Sequence, residues 1–252
     1  MNSLVKLCVS ALILLSTGGV NALAGGHGGS LDYNSGGKQF SGFVQEPVGT
    51  SKGTIIIVHD WDGLTDYEKK RAAMLSEKGY RAVAIDLFGI DAKLDGFEDF
   101  RRETGALYRN RDMFRARIDA AITAARQLSS DNEKLFIIGY CFGGAAVLEA
   151  ARAGMAMSGF VSFHGGLATP EGQNYEKTNA PVLLLHGSAD PVSGMDDLAS
   201  LIKQLQAASV PHDAEIYGGA RHSFTIEGSR DYDQAAEAKS WDALMRFLDR
   251  NS

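Results

Sequence analysis

The sequence predicts a single α/β domain in which a mostly parallel central sheet carries helices on both faces. Short apolar runs of strand length alternate with longer segments whose apolar residues recur at helical spacing, an alternation typical of parallel βαβ units. A chain of 252 residues suits one large domain of this class. Side chains capable of chemistry also stand directly after several strand-like runs, where ligands bind in such sheets.

The individual elements follow from local patterns. Thr54–Val58 is β-branched throughout, which indicates a strand buried on both faces. Within the segment 111–128, Phe114, Ile118 and Ile122 recur at the spacing of a buried helix face. The predicted strands are 54–58, 81–85, 135–138, 159–163, 181–185 and 214–217. The predicted helices are 67–78, 111–128, 145–152, 196–208 and 233–248.

The first 24 residues predict a secretory signal peptide. Lys6 precedes the apolar stretch 7–15, and Ala22-Leu23-Ala24 matches the small-x-small pattern that signal peptidase reads. An uncleaved membrane anchor is the alternative, although a span needs about 20 apolar residues. We therefore predict an exported protein, periplasmic or secreted, that has no membrane contact after cleavage.

Composition limits the partners and the cysteine chemistry. The chain has 25 Lys and Arg against 31 Asp and Glu, a net charge of −6, so its charge gives no reason to expect nucleic acid as a partner. Residues 25–37 are rich in Gly, Ser and Asn and predict a flexible lead-in to a domain spanning 38–252. Signal cleavage removes Cys8 and leaves Cys141 without a partner for an internal disulfide.

The segment Gly139-Tyr140-Cys141-Phe142-Gly143 lies between a predicted strand and an alanine-rich helix. This is the G-x-nucleophile-x-G turn, with cysteine at the nucleophile position. The helix N-terminus that follows should favour the thiolate through its backbone N–H groups and its dipole. The alternative is a core cysteine in a glycine-rich turn, because cysteine is among the most buried residue types.

A nucleophilic cysteine needs a base and a group that orients the base. Asp190 follows the strand 181–185, and His222 follows the last predicted strand, so the chain order is nucleophile, acid and histidine. Asp-Pro also starts turns, and His222 could be a surface loop residue. Asp86 and Asp213 are weaker candidates for the acid because each falls in the wrong place in this order.

Backbone N–H groups are the predicted stabilisers of a substrate oxyanion. One is that of Phe142, directly after the cysteine, and the other is that of Trp61 in the loop after the first strand. The sequence has no HxH or HExxH pattern, so we predict no metal and no organic cofactor. His59 and His164 are interpreted as structural or pocket-lining residues.

Several short motifs occur together in the same order as in a known family. They are His59-Asp60-Trp61-Asp62-Gly63-Leu64, Ile85-Asp86-Leu87-Phe88-Gly89, Gly139-Tyr140-Cys141-Phe142-Gly143-Gly144, Phe163-His164-Gly165-Gly166-Leu167, Asp190-Pro191 and His222-Ser223-Phe224. With them, the chain from about Gly42 to Leu248 resembles the dienelactone hydrolase family and implies the α/β-hydrolase fold. The resemblance implies a triad of Cys141, Asp190 and His222. It also implies an acid that contacts the resting thiol, here Asp60, where many members have glutamate.

The resemblance also bears on substrate binding. Family members that open dienelactones hold the substrate carboxylate with arginines, one of them just past the catalytic histidine. This chain has Thr225-Ile226 at that place. Arg101, Arg102 and Arg221 are therefore the candidates for a substrate-binding arginine.

Two functions of different classes remain after these observations. The first is hydrolysis of a small-molecule lactone or carboxylic ester through a thioester on Cys141. The second is a secreted small-molecule-binding protein that keeps the hydrolase fold without catalysis. Redox use of the thiol is a weaker third option, because no resolving cysteine survives signal cleavage. The sequence predicts neither the natural substrate nor the oligomeric state.

Overall fold

One eight-stranded sheet organises the protein in a computed structural model that describes residues 28–130 and 132–252. The strands are β1 (Gly28–Ser35), β2 (Lys38–Gln45), β3 (Thr54–Val58), β4 (Arg81–Ile85), β5 (Leu135–Tyr140), β6 (Gly159–Phe163), β7 (Val182–Gly187) and β8 (His212–Tyr217). The helices are α1 (Asp66–Glu77), α2 (Phe97–Arg109), α3 (Arg111–Arg126), α4 (Phe142–Ala153), α5 (Met195–Ala207) and α6 (Gln234–Asn251). The predicted signal peptide, residues 1–24, lies outside the described residues.

The strand order is β1-β2-β4-β3-β5-β6-β7-β8. Strands β3 to β8 pair in parallel, and β1 and β2 pair antiparallel. Alternate residues of β3 enter different cores: Ile56 belongs to the core that also contains residues of α3, α4 and α5, and Ile57 to the core that contains residues of α1 and α6. Helices therefore cover both faces, which confirms the predicted fold class. The continuous burial of β3 agrees with its β-branched composition.

The predicted flexible lead-in is wrong over residues 28–35, which form β1. This strand pairs with β2 along its whole length through a two-residue turn at Gly36-Gly37, where both φ angles are positive. Paired glycines allow such a tight hairpin turn. The Tyr33 ring stacks on Phe40 at 5.4 Å between centroids and is buried. The Gly, Ser and Asn content concealed the alternation of Leu31 and Tyr33 that places every second side chain on the core.

Helix α2 is an element that the sequence analysis did not predict. Only Thr104 and Leu107 are buried within it, because the helix packs against α3 on the outside of the sheet layers. Most other elements agree with the predicted ones to within about two residues, although α4 begins at Phe142, directly after the cysteine. Within the described ranges, no helix combines the length and the apolar character needed to cross a membrane.

Candidate active site

Cys141 occupies the sharp turn between β5 and α4, at the carboxyl edge of the sheet. Its backbone has φ 52° and ψ −110°, a conformation that costs a non-glycine residue free energy. The two flanking glycines make the turn sterically feasible. A Cβ atom on Gly139 would lie 2.2 Å from the Gly143 carbonyl oxygen, and one on Gly143 would lie 2.2 Å from that of Val58. The sequence pattern therefore reflects close backbone approach on both sides of the cysteine.

The structure brings Cys141, His222 and Asp190 into one hydrogen-bonded row. The His222 Nε2 atom is 2.9 Å from the Cys141 Sγ, and its Nδ1 is 2.8 Å from the Asp190 Oδ2. The other Asp190 oxygen accepts the N–H groups of Val192 at 2.8 Å and Ser193 at 3.1 Å. Burial raises the pKa of Asp190, but the bonds to His222 and these N–H groups outweigh it and leave the pKa below its ordinary value. Asp190 is thus a carboxylate that fixes the His222 Nδ1 proton and leaves Nε2 to accept the thiol proton.

Asp60 lies on the other side of the thiol. Its side chain contacts Cys141, is almost fully buried, and accepts the Trp61 N–H at 2.5 Å. Burial raises the pKa of Asp60 to about 7, although the bond to the Trp61 N–H acts in the opposite direction. The carboxyl of Asp60 therefore gains and loses its proton near neutral pH.

The resting thiol holds its proton. Burial, followed by the neighbouring Asp60, raises the pKa of Cys141 well above its ordinary value. The Phe142 N–H at the start of α4 lowers the pKa, but this effect is smaller. The start of the helix thus favours the thiolate as predicted, but in the resting site burial and Asp60 outweigh this effect. A thiolate would therefore require the proton to move to a neighbouring group, and His222 Nε2 lies 2.9 Å from the sulfur.

The two predicted oxyanion donors, Trp61 and Phe142, both line the cavity beside Cys141. They differ in their present hydrogen bonds. The Phe142 N–H acts on the thiol, whereas the Trp61 N–H is donated to the carboxyl of Asp60. In this resting arrangement, a substrate oxygen must compete with Asp60 for the Trp61 donor.

A buried polar chain supports the cysteine turn from behind. The Cys141 N–H donates to His164 Nδ1 at 3.2 Å, and His164 Nε2 lies 2.8 Å from Thr225 Oγ1. The Thr225 hydroxyl in turn lies 2.7 Å from the Tyr67 hydroxyl. Burial, followed by the nearby His222, holds the pKa of His164 well below its ordinary value, so its imidazole is neutral. His164 connects the cysteine turn to the loop that carries His222.

His59 and His164, which the sequence predicted to be structural or pocket-lining, both make structural hydrogen bonds. His59 accepts the Leu87 N–H at Nε2 and pairs through Nδ1 with the Asp60 carbonyl oxygen, at 3.1 and 2.6 Å. It thereby fixes the ends of β3 and β4 relative to each other. The role of Thr225 was missed, because only the folded structure shows that it bonds to His164.

A cavity of about 430 Å³ opens above the thiol. Trp61, Tyr108 and Phe142 supply aromatic surface to its wall, and Val192 and Arg230 also line it. Tyr108 and Arg230 were not among the sequence candidates. Tyr108 belongs to α2, which local periodicity did not reveal, and Arg230 belongs to an irregular loop, so neither carried a usable signal.

Two of the three predicted substrate-binding arginines are held on the outside of α2. Arg101 pairs with Glu98 at 3.8 Å, and Arg102 pairs with Glu103 at 3.2 Å and also with Asp99. Neither is among the residues that line the cavity. Carboxylates on the same helix, one turn away or adjacent, bind these guanidinium groups and hold them at the helix surface.

The third, Arg221, is also absent from the cavity wall. Its Nε binds Asp231 Oδ1 at 2.8 Å, and Arg230 approaches the same oxygen at 3.4 Å. Of these arginines, Arg230 is the one that reaches the cavity. In the part of the chain that the structure describes, no group of three or more His, Cys, Asp or Glu side chains could hold a metal ion.

Known proteins resemble this chain in both sequence and structure. The model of the dienelactone hydrolase family matches residues 40–252. A carboxymethylenebutenolidase of Rhodococcus opacus is 25% identical over 207 residues, which are 78% of this chain and 81% of that relative. The solved structure of m3DLH is 29% identical with a TM-score of 0.81, covering 90% of this chain and 98% of the other. A dienelactone hydrolase-like promiscuous phosphotriesterase, P91, from metagenomic libraries, is 29% identical with a TM-score of 0.83, covering 90% and 99%. The chain belongs to the dienelactone hydrolase family of α/β-hydrolases, as its motifs predicted.

Proposed function

We propose that the protein hydrolyses carboxylic esters or lactones with Cys141 as the nucleophile. The observation that carries this proposal is the row in which Cys141 Sγ lies 2.9 Å from His222 Nε2 and Asp190 binds His222 Nδ1 at 2.8 Å. This is the arrangement of nucleophile, base and orienting acid that covalent catalysis requires. Membership of the dienelactone hydrolase family supports the same class of bond.

The first half-reaction forms a thioester. His222 Nε2 takes the thiol proton as Sγ attacks the carbonyl carbon, and the resulting imidazolium is stabilised by Asp190. The N–H groups of Phe142 and Trp61 bind the oxyanion, which requires Asp60 to give up the Trp61 N–H. The intermediate collapses, the carbon–oxygen bond of the ester breaks, and the leaving alkoxide takes the proton from His222.

The second half-reaction returns the resting enzyme. His222 takes a proton from water, and the hydroxide attacks the thioester carbonyl in the same oxyanion site. The carbon–sulfur bond then breaks, the carboxylic acid leaves, and the sulfur regains the proton from His222. For a lactone, the released alcohol and acid are the two ends of one molecule.

Replacing Cys141 with alanine tests the proposal. We expect Cys141→Ala to lose at least about a thousandfold in kcat for phenyl acetate and for the lactone dihydrocoumarin, because the covalent step is removed. Mass spectrometry of acid-quenched wild-type protein should show one acetyl group on the peptide containing Cys141. Arg101→Ala, an exposed change on α2, is the control and should keep full activity with an unchanged melting temperature.

The outcome also separates this function from the second candidate of the sequence analysis. Equal ester turnover by wild-type protein and Cys141→Ala would rule out the cysteine mechanism. If a screen of esters and lactones gave no turnover above the uncatalysed rate while ligands still bound the cavity, a binding protein would be the better description.

We also propose that the protein is exported and cleaved after Ala24. The pattern Ala22-Leu23-Ala24 supports this, and β1 begins at Gly28, so cleavage would spare the first strand of the sheet. Fractionation of expressing cells with N-terminal sequencing should give an exported form that starts at Gly25. A form that retains Met1 and remains inside the cell would contradict the proposal.

A further inference from the structure

We propose that the cavity selects uncharged esters that carry an aromatic ring, and that Trp61 and Tyr108 bind this ring. The proposal rests on the proposed function and names its substrate class. It follows from the composition of the cavity wall, from the packing that fixes the two side chains, and from the ion pairs at the rim.

The Trp61 ring is fixed by two phenylalanines of α2. It meets Phe97 edge to face at 5.3 Å between centroids and Phe100 in the same manner at 5.3 Å. A ring held in one orientation loses little conformational entropy when a ligand binds, and edge-to-face packing leaves further aromatic surface for contact. Trp61 therefore presents a preorganised surface beside the thiol rather than an adaptable side chain.

The second aromatic surface is Tyr108, also from α2. Its ring meets Phe142 at 5.6 Å and Phe114 at 6.0 Å, both at steep angles. Phe142 follows the nucleophile directly and lines the cavity as well. Tyr108 is 37% exposed, so part of its ring is available to a ligand. Helix α2 thus contributes to both aromatic surfaces, next to the oxyanion donors.

The remaining apolar lining extends to the mouth. Pro191 and Val192 line the cavity, and Val192 is 66% exposed although it is a large hydrophobic residue. An apolar residue left open to solvent at a cavity mouth is favourable for binding an apolar ligand, because the ligand removes its surface from water. The volume of about 430 Å³ is within the range of small-ligand sites.

The charges around the cavity disfavour an anionic substrate. Arg230 is the one cationic side chain among the described lining residues, and it shares the Asp231 carboxylate with Arg221. Asp231 itself lines the cavity, and the carboxyl of Asp60 lies against the thiol. A substrate carboxylate bound to Arg230 would lie close to the like-charged Asp231 and would also approach Asp60. A neutral ester has neither of these unfavourable charge interactions.

Hydrolysis of three acetate esters, measured by pH-stat titration, separates the effect of the aromatic ring on KM from the effect of charge. Phenyl acetate carries the ring, vinyl acetate lacks it, and para-carboxyphenyl acetate adds a negative charge to the ring. We expect phenyl acetate to have the lowest KM of the three. Trp61→Leu keeps the backbone N–H, and Tyr108→Leu keeps an apolar side chain. Each should raise the KM for phenyl acetate about three- to tenfold and change that for vinyl acetate less than twofold.

One control variant and one variant of the cavity wall complete the kinetic test. Ile216→Ala alters an exposed hydrophobic residue on β8 that is not part of the cavity wall and should leave every KM unchanged. Arg230→Gln removes the cationic side chain of the cavity wall and tests whether it attracts a substrate carboxylate. If para-carboxyphenyl acetate had the lowest KM, and Arg230→Gln removed this advantage, the cavity would recognise a carboxylate and the proposal would be overturned.

Binding without turnover distinguishes failure of this proposal from failure of the proposed function. In Cys141→Ala, calorimetry should show that the neutral ketone phenylacetone binds more tightly than phenylacetate, and that Trp61→Leu weakens it. Turnover by wild-type protein with equal KM values for phenyl and vinyl acetate would overturn the ring preference alone. Absence of all turnover, with Trp61-dependent binding of phenylacetone retained, would overturn the hydrolase function and leave the aromatic site.

Discussion

Replacing Asp60 with asparagine should remove a large part of the pH dependence of the protein's stability. The carboxyl is buried between the thiol of Cys141 and the N–H of Trp61, and burial raises its pKa from the ordinary 3.8 to about 7. Between these two values, the folded protein holds a proton that the unfolded chain releases. The free energy of unfolding must therefore fall as pH rises through this range. Asparagine keeps an oxygen for the Trp61 N–H but cannot ionise.

The size of the effect follows from the linkage relation. A carboxyl whose pKa moves from 3.8 to about 7 on folding makes the ionised folded state about 4 kcal/mol less favourable, because one pKa unit is worth about 1.4 kcal/mol. About 2 kcal/mol of this loss of stability occurs between pH 5.5 and pH 8. The stability of Asp60→Asn relative to wild type should rise by that amount over the same interval.

Urea unfolding of both proteins at several pH values between 5.5 and 8 measures this difference directly. Groups that do not interact with Asp60 cancel in the subtraction. The control is Glu149→Gln. Burial raises the pKa of Glu149, but its bonds to Arg152 and Arg115 hold the pKa below the ordinary value. The ionised carboxylate therefore makes its full contribution to stability above pH 5.5. The difference in free energy of unfolding between Glu149→Gln and wild type should therefore be large and constant over this pH range. Parallel curves for wild type and Asp60→Asn would refute the reasoning.

Two further substitutions test the support of the cysteine turn. Thr225→Val removes the oxygen that binds His164 Nε2 at 2.8 Å, so kcat for phenyl acetate should fall about tenfold with little change in KM; Thr225→Ser should restore it, and equal rates for the two variants would exclude a positioning role. Gly143→Ala would place a Cβ 2.2 Å from the Val58 carbonyl oxygen, and its free energy of unfolding should fall by more than about 4 kcal/mol. Gly29→Ala, whose Cβ meets nothing within 4 Å, is the matched control, and similar melting temperatures for the two would contradict the steric argument.

The central sheet was predictable because its signal is local. The residues of β3 are apolar or β-branched without interruption, and such a run has few other stable environments than the middle of a parallel sheet. The hairpin of β1 and β2 was missed because its strand alternation is diluted by glycines, and α2 because its buried face is narrow. Both elements lie at the margin of the core, where tertiary contacts decide the structure more than local sequence does.

The hydrogen-bonded row of the site was predictable for a different reason. In a parallel sheet, all strands end at the same edge, so residues that follow strands in the right order come together. Asp190 and His222 were identified from their places after strands together with the chain order of nucleophile, acid and histidine. Tyr108 and Arg230 were not, because α2 and the loop after His222 reach the cavity by routes that no strand end determines.

The protonation state of the thiol is a feature of the site that could not be predicted from the sequence. A helix N-terminus beside Cys141 favours a thiolate, and this much can be inferred from the turn motif. Burial and the charge of Asp60 act against it and outweigh it. Since the carboxyl of Asp60 contacts the thiol and also binds the Trp61 N–H, its displacement has two consequences at once. It would free the Trp61 N–H, the predicted oxyanion donor, and it would remove the charge that opposes thiolate formation. Nucleophile and oxyanion site would therefore become active together, when the Asp60 carboxyl leaves its resting position.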